Sequence, residues 1–334
     1  MSDMVRLSPE AVTELVTGAL TRSRTSRDNA ASVARALLAA ELAGQNGHGL
    51  RRVAAYSAQA RAGKVDGFAI PSSQALRPGA LAIDACHGFA YPAMDLALDW
   101  LPDAARSQGI AIAGIRRSHH CGVAGVVVEA LAERGVAALM VANAPAAMAP
   151  WGGRRPLFGT DPIAFAAPLS EGAPVVIDIS LSKVARGKIM AAAQKGDPIP
   201  EGWALDPDGQ PTTDANAAMA GTMIPMGDAK GTALALMVEL LCAGLTGANY
   251  AWQATSFFDD KGEPPGTGQA IIAIDPDAFG PGGAGRMALM AEMVAGTEGA
   301  RLPGRRRQQI RGDYLENGIP VDPDLAESIR AIGA

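Results

Sequence analysis

Three of the four histidines in the chain lie in short segments that also contain glycine or other small residues. His48 stands between Gly47 and Gly49, and the adjacent His119 and His120 precede a run of small residues. An imidazole can give or take a proton near neutral pH, and glycine lets a bulky ligand approach the backbone. This combination predicts an enzyme pocket for redox or acyl-transfer chemistry.

A guanidinium accompanies the first histidine. Arg52 follows His48 by four residues, so one helical turn would point a proton donor and a carboxylate ligand in the same direction. The alternative is a histidine at a helix junction, with Arg52 in a surface ion pair. Of His119 and His120, we expect one to be held by a backbone carbonyl and the other to face the pocket, unless both are structural.

Polar and cationic residues elsewhere in the chain are suited to binding an anion. Thr160 lies in a Gly-Thr-Asp-Pro turn, where its hydroxyl either donates to a ligand or only stabilises the turn. Lys230 begins a strongly apolar stretch. Arg305, Arg306 and Arg307 follow a Leu-Pro-Gly turn; they are able to neutralise a phosphate, although a solvated basic patch is the commoner arrangement.

Charge and cysteine usage exclude several classes of protein. The 29 basic and 34 acidic side chains give a formal charge of -5, which argues against a nucleic-acid partner. Cys86, Cys121 and Cys242 are isolated, and the histidines lack partners at ligand spacing, so we expect neither a disulfide framework nor a metal site. The N-terminus lacks a signal-peptide layout and no apolar run would span a bilayer. We therefore expect a cytoplasmic protein that binds a small anionic metabolite and no membrane.

Hydrophobic periodicity divides the chain into two kinds of segment. Ser8 and Ser26 predict the starts of two amphipathic helices, and short apolar runs alternate with helical stretches from residue 109 onward. This alternation predicts an α/β fold with a mixed sheet, and the lack of an early GxGxxG argues against an ordinary Rossmann domain. Strands are expected at 80–84, 110–115, 136–142, 162–167, 175–178 and 270–274, helices at 8–22, 26–42, 50–63, 122–134, 182–194, 230–245, 286–295 and 324–332, and a mobile loop at 259–268.

Taken together, these segments resemble the malate/L-lactate dehydrogenase family of NAD(P)-dependent oxidoreductases. That family includes sulfolactate and ureidoglycolate dehydrogenases and Δ1-piperideine-2-carboxylate reductases. The resemblance covers nearly the whole chain, and it is specific because many short motifs occur in the same order. They are Gly-His-Gly-Leu-x-Arg at 47–52, Ser-His-His at 118–120, Pro-Trp-Gly-Gly at 150–153, Gly-Thr-Asp-Pro at 159–162, Asp-Ile-Ser-Leu-Ser-Lys at 178–183, Pro-Thr-Thr-Asp at 211–214, Lys-Gly at 230–231 and Leu-Pro-Gly at 302–304.

The resemblance implies a non-Rossmann α/β fold of the malate/L-lactate (sulfolactate) dehydrogenase type. A helical dimerisation lobe would comprise residues 1–108 and 286–334, and a central mixed-sheet lobe at 109–285 would bind the nicotinamide cofactor. A homodimer is implied as well. The cofactor is NADP or NAD, and the three consecutive arginines slightly favour NADP because they would suit its 2′-phosphate.

The resemblance also implies roles for individual residues. His48 resembles the proton donor to the substrate, although some relatives assign the acid–base role to the position of His120. Arg52 and Thr160 resemble substrate ligands. The implied cofactor-binding residues are His120, Cys121, Gly122, Val123, Ala124, Asp178, Ile179, Ser180, Lys230, Gly231, Arg305 and Arg306.

Departures from the family pattern bear on the substrate. Gly47 replaces a serine and Lys188 replaces an aspartate that relay protons in the cyclic-imine reductases, and Asp161 replaces the usual asparagine. We therefore expect hydride transfer between NAD(P) and a small 2-hydroxy or 2-oxo acid, with Arg51 available to a second anionic group. The alternatives are an NADPH-dependent reductase of Δ1-pyrroline- or Δ1-piperideine-2-carboxylate and a non-catalytic metabolite-binding paralogue.

Overall fold

A seven-stranded mixed sheet lies at the centre of the computed structural model, which describes residues 4–333. The strands are β1 (Val5–Leu7), β2 (Ser72–Arg77), β3 (Ala80–Asp84), β4 (Ile110–Ser118), β5 (Ala137–Ala142), β6 (Ile163–Ala167), β7 (Val175–Ile179), β8 (Ala204–Leu205), β9 (Thr222–Met223), β10 (Thr267–Ile274) and β11 (Ile319–Val321). The helices are α1 (Pro9–Thr21), α2 (Arg27–Leu42), α3 (Val53–Ala62), α4 (Ala90–Gln108), α5 (Ala124–Glu133), α6 (Arg186–Lys195), α7 (Ala215–Ala220), α8 (Ala229–Glu239), α9 (Gly283–Ala295), α10 (Arg305–Asn317) and α11 (Pro323–Arg330). The predicted α/β fold with a mixed sheet is confirmed.

The order of the central sheet is β2-β3-β4-β10-β5-β6-β7. Strands β3 and β4 are parallel, and the other neighbouring pairs are antiparallel. Successive side chains of a strand point to opposite faces, so Met140 joins the core beneath α4 and α5, whereas Val141 joins the core beneath α8. Both faces of the sheet are therefore covered.

The first two helices begin where the sequence predicts. The hydroxyl of Ser8 accepts a hydrogen bond from the amide of Ala11, and that of Ser26 accepts one from the amide of Asn29. These bonds satisfy amides that have no partner inside the helix. Helix α8 continues beyond Glu239 as a wider turn through residues 240–244, so the single apolar helix predicted at 230–245 is also present.

The break between α2 and α3 carries the first histidine. Two single tight turns, Asn46–His48 and Leu50–Arg52, separate the helices, so α3 begins at Val53 rather than at residue 50. The buried carboxylate of Glu41 accepts a hydrogen bond from the amide of Leu50 at 2.7 Å. A side chain at residue 49 would overlap that carboxylate, which explains the glycine there.

Three helices lie outside the sequence-based assignment, namely α4, α7 and α10. Helix α4 packs against β4 and α5, and helix α10 contains the arginines at 305–307. The lobe boundary predicted between residues 108 and 109 stays a prediction. Strands β2 and β3, which precede it in the sequence, belong to the central sheet. Within residues 4–333, no helix combines the length and the apolar character needed to cross a membrane.

Candidate functional site

His48 and His120 lie in direct contact although 72 residues separate them. Nδ1 of His48 is 3.2 Å from Nε2 of His120, and the two rings are stacked with 5.1 Å between centroids. The tight turn at 46–48 positions the first ring, and the end of β4 positions the second. The structure thus brings both acid–base candidates into one pair.

The second ring nitrogen of His120 is also bonded. The phenol oxygen of Tyr56 is 2.6 Å from its Nδ1, and the hydroxyl of Tyr91 is 3.0 Å from that of Tyr56. His120 and both tyrosines are buried, whereas His48 is half-buried. Of these four hydrogen-bonded side chains, His48 is therefore the most open to a ligand.

Burial sets the protonation of the whole group. Burial and, secondly, the charge of Arg52 lower the pKa of His48 to about 4, and the same causes lower the pKa of His120 well below its usual value. Burial also raises the pKa of Tyr56 to about 12. In the ligand-free protein at neutral pH, the histidines are therefore neutral and the phenol keeps its proton.

Arg52 lies beside the histidines and is oriented by two contacts. Its Nε donates to the backbone oxygen of Gly47 at 2.8 Å, and its guanidinium carbon lies 4.6 Å from the ring centre of Phe258. Within residues 4–333 it forms no ion pair, so the alternative of a surface salt bridge is wrong. The two terminal guanidinium nitrogens remain available for a bidentate bond to a carboxylate.

His119 is the structural member of the adjacent pair, but a carbonyl does not hold it. Its ring is buried edge-on against Tyr56, Phe89 and Phe257, and neither ring nitrogen has a hydrogen-bond partner in the described part of the chain. Burial lowers its pKa to about 3, so the ring packs as a neutral group. Its backbone oxygen is fixed instead, by the side chains of Thr267 and Gln269.

Thr160 lies above a buried pair of carboxyl groups. Asp161 is completely buried with a positive φ of 39°, and neither of its carboxyl oxygens has a hydrogen-bond partner within residues 4–333. Burial, followed by the charge of Glu239, raises the pKa of Asp161 well above its usual value. Burial therefore favours the protonated form of the Asp161 carboxyl group, and the change from asparagine to aspartate affects more than a local turn.

The predicted cofactor segments form one continuous band. The amide of Gly125, directly after the segment 120–124, donates to the carboxylate of Asp178 at 3.0 Å, and Arg307 approaches the same carboxylate at 3.4 Å. The hydroxyl of Ser180 lies 3.3 Å from the backbone oxygen of Thr160. The N-terminal end of α5, the end of β7 and the start of α10 thus meet at Asp178.

The band continues to the start of α8. The amide of Met226 donates to the backbone oxygen of Leu181 at 2.7 Å, which places the turn before α8 beside the end of β7. A side chain at Gly231 would overlap the backbone of Met226, so this close approach requires glycine. Ile179 and Lys230 are exposed along the band.

The three arginines of α10 divide into two groups. Arg307 is partly buried against Asp178, whereas Arg305 and Arg306 are exposed. Neither these two nor Lys230 has an acidic partner within residues 4–333. Exposed, unpaired cations beside a close-packed glycine backbone suit the phosphates of a dinucleotide.

Several residues of the site were not found from the sequence. Tyr56 follows Arg52 by four residues, a helical spacing that would have placed both on one face of the helix predicted at 50–63. Phe257 and Phe258 lie in a loop that carries no recognisable motif. The start of the predicted mobile loop is anchored, since Gln59 and Lys64 both bond to the backbone oxygen of Asp259.

Among residues 4–333, no three His, Cys, Asp or Glu side chains are placed to share a metal ion.

The family can be decided from the sequence as a whole. The sequence profile of the malate/L-lactate dehydrogenase family matches residues 7–330. The chain belongs to this family. It is therefore an oxidoreductase, and the resemblance found in its motifs is confirmed.

Individual members of the malate/L-lactate dehydrogenase family are similar along the whole chain. A (2R)-3-sulfolactate dehydrogenase (NADP(+)) from Chromohalobacter salexigens is 49% identical over 99% of this chain and 98% of its own. A Δ1-pyrroline-2-carboxylate/Δ1-piperideine-2-carboxylate reductase from Pseudomonas putida is 41% identical over 86% and 85%. The crystal structure of Δ1-piperideine-2-carboxylate reductase from Pseudomonas syringae superposes with a TM-score of 0.93 at 36% identity, covering 98% and 99%. The non-Rossmann fold expected for this family is thus confirmed.

Proposed function

We propose that the protein transfers hydride reversibly between NADP and C2 of a small 2-hydroxy acid that carries a second anionic group. One observation carries this proposal: the contact to His120 leaves Nε2 of His48 free, beside an Arg52 guanidinium that has no acidic partner within residues 4–333. A proton donor or acceptor and a carboxylate ligand in one pocket are what a 2-hydroxy acid requires. The relative from Chromohalobacter salexigens supports the same class of substrate.

His48 exchanges the proton of the reacting oxygen. Its lowered pKa makes it neutral in the ligand-free protein, so it accepts the hydroxyl proton when the acid is oxidised. In the reductive direction the imidazolium returns that proton to the carbonyl oxygen. Because the charge of Arg52 helps to depress the pKa of His48, a bound substrate carboxylate raises it again and makes the imidazolium accessible.

Two arginines divide the recognition of the substrate. Arg52 holds the C1 carboxylate in a bidentate pair and orients C2, while Thr160 contributes a hydroxyl donor. Arg51 is exposed and has no ion-pair partner in the described part of the chain, so it is free to meet a sulfonate or second carboxylate. We place malate and 3-sulfolactate ahead of lactate for this reason.

The residues of the continuous band fit a dinucleotide phosphate. Lys230 and the backbone at Gly231 would hold the pyrophosphate, Arg305 and Arg306 the 2′-phosphate, and the segment 120–124 the nicotinamide end. When bound, the cofactor accepts or supplies the hydride at C2. The sulfolactate relative is an NADP(+) dehydrogenase, which supports NADP rather than NAD.

A homodimer would cover two apolar helix faces of the free chain. Leu236 on α8 and Leu240 on the turn that continues it are exposed. Met290 and Met293 are exposed on α9, a helix whose only buried residue is Ala291. Exposed apolar surface of this kind marks an interface. Light scattering after size exclusion tests the dimer, and Met290→Glu should shift it toward monomer.

Free cysteines throughout the described chain fit a reducing cytoplasm.

A substrate panel tests the reaction. The purified protein would be assayed for oxidation of NADPH and NADH with oxaloacetate, pyruvate, 3-sulfopyruvate and Δ1-pyrroline-2-carboxylate. Fast turnover of a dianionic 2-oxo acid with NADPH is the expected result. An Arg51→Gln variant sharpens the assay, because it should slow the dianionic substrates and leave pyruvate unchanged. No turnover of any 2-oxo acid would contradict the proposal.

Reduction of a cyclic imino acid is the second candidate. The relatives from both Pseudomonas species support it, and it uses the same carboxylate ligand. Two positions argue against it, since Gly47 and the exposed Lys188 replace the serine and aspartate expected in such reductases. Space does not force the first change, because a side chain at Gly47 would meet nothing within 4 Å. Activity confined to Δ1-pyrroline-2-carboxylate would favour this candidate.

A further inference from the structure

Four side chains form an unbroken line of hydrogen bonds that ends at the pocket. The oxygens of Tyr91 and Tyr56 are 3.0 Å apart, Tyr56 lies 2.6 Å from Nδ1 of His120, and Nε2 of His120 lies 3.2 Å from Nδ1 of His48. Both ring nitrogens of His120 are thereby used. Nε2 of His48 is the one ring nitrogen of the pair that remains for a substrate.

The direction of one hydrogen bond determines the directions of the others. If Tyr56 donates to Nδ1 of His120, then a neutral His120 carries its proton on Nε2 and donates to Nδ1 of His48. His48 must then carry its own proton on Nε2, toward the pocket. If Tyr56 accepts instead, each bond reverses and Nε2 of His48 presents a lone pair.

Tyr56 does not supply the transferred proton itself. It is completely buried, and burial raises its pKa to about 12, so a tyrosinate would be costly near neutral pH. The charged and titratable groups that act on this line are Arg52, His119 and Cys121. Each of them lies beside the line, and none lies between its members.

We infer that Tyr56 is a positioning residue, which sets the tautomer of His120 and thereby selects whether His48 presents a proton or a lone pair to the substrate. This inference rests on the proposed function, in which His48 exchanges a proton with the substrate oxygen. In oxidation, the substrate O–H bond breaks and an N–H bond forms at Nε2 of His48, while the C2 hydrogen leaves with both electrons to the oxidised nicotinamide. The new imidazolium donates through Nδ1 to His120, which donates to Tyr56.

Tyr56→Phe tests the inference because it removes the hydroxyl and keeps the ring. We expect kcat to fall about 10- to 100-fold, the effect of losing one buried hydrogen bond of roughly 1.5–3 kcal/mol, with KM and the Kd for NADPH unchanged. Ser57→Ala is the matched control. It removes a buried hydroxyl one residue away that has no partner within residues 4–333, so kcat should stay at the wild-type value.

Nitrogen NMR of protein labelled at histidine gives a readout that a merely structural role would not move. The chain has 4 histidines, so the ring signals of His48 and His120 can be assigned by single substitutions. We expect defined tautomers in the wild type and in Ser57→Ala, and mixed tautomers of His120 in Tyr56→Phe. Unchanged ring signals and kcat in Tyr56→Phe would overturn the inference. Since NMR needs no substrate, failure of the substrate panel would count against the proposed function alone.

Discussion

Around His48, the side chains that handle protons are bonded to one another, whereas the exposed cations Lys230, Arg305 and Arg306 have no acidic partner within residues 4–333. The first region is mostly buried and its hydrogen bonds run through four residues. The second is exposed on one rim of the sheet. Both regions belong to one candidate site, yet only the first is complete without a ligand.

The difference reflects what each region has to do. A proton must move between fixed atoms, so small errors in position are costly and preorganised hydrogen bonds are favoured. An anion arrives with its own charges, and an exposed cation without an internal ion pair has no such pair to break when it binds. Arg52 belongs to the proton-handling region by position but keeps its terminal nitrogens free, so it connects the two regions.

The largest effect is expected in the proton-handling region. His48→Ala should lower kcat by about 10²–10⁴-fold, the usual contribution of a general acid or base, while the Kd for NADPH stays unchanged. His87→Ala is the control, because His87 lies outside the line of hydrogen bonds. Steady-state kinetics and fluorescence titration measure the two quantities. Wild-type kcat in His48→Ala would transfer the acid–base role to His120.

Arg52 provides the next largest effect. Arg52→Met removes a bidentate ligand, so kcat/KM for the 2-oxo acid should fall roughly 10²–10³-fold, equivalent to two charged hydrogen bonds. Arg52→Lys keeps the charge and loses the fork geometry, so its loss should be intermediate. Initial rates over a range of substrate concentrations give kcat/KM for each variant. Equal activity of the Met variant and the wild type would remove Arg52 from the substrate site.

The exposed rim should respond more weakly and only to one cofactor. Replacing both Arg305 and Arg306 by alanine should raise the KM for NADPH about tenfold, because two exposed charges contribute about 1.4 kcal/mol to binding a phosphate. The KM for NADH should stay constant. Arg77→Ala, a change of an exposed arginine on β2, is the control. An equal change for NADH and NADPH would mean that the arginines do not contact the 2′-phosphate.

The smallest effect concerns the buried carboxyl pair beneath Thr160 and is one of stability. The folded protein holds a proton on Asp161 that the unfolded chain loses, so this pair lowers stability as pH rises above the usual range of an aspartate. Asp161→Asn replaces the titratable carboxyl group by a neutral amide and accepts the positive φ.

We expect Asp161→Asn to stabilise the protein by roughly 1–3 kcal/mol at about pH 8, and by less at about pH 5. Thermal melts at both pH values measure the change in Tm. Asp260→Asn, a change of an exposed aspartate, serves as the control. A Tm difference that does not grow with pH would contradict a proton held on the buried carboxyl group of Asp161.

The sequence was sufficient for features that depend on local chemistry. The caps at Ser8 and Ser26, the glycine segments and the spacing of His48 and Arg52 each carry a local signal, and the structure shows these elements at the predicted places. Sequence motifs also predicted the family. The contact between His48 and His120 was not predictable from spacing, since it depends on where β4 ends relative to the turn after α2.

Helix α4 shows why the remainder was missed. Helix α4 contains Pro92 and Pro102, and proline disfavours a helix because it lacks an amide donor. Pro92 falls in the first turn, where no internal acceptor is needed, and Pro102 is retained because Met94, Ala97 and Leu101 are buried against the sheet. Tertiary packing decided that helix, and with it the position of Tyr91.

The position of β10 has a consequence for how the protein is made. Strands β4 and β5 do not pair with each other; both pair with β10, which spans Thr267–Ile274. During synthesis, β4 and β5 therefore present unpaired edges until residue 274 has left the ribosome. Because unpaired strand edges promote aggregation, a chain of this topology depends on protection until then. Thr267 and Gln269 also fix the backbone of His119. In a nascent chain, the backbone of His119 and the adjacent His120 is therefore fixed only after β10 has inserted into the sheet.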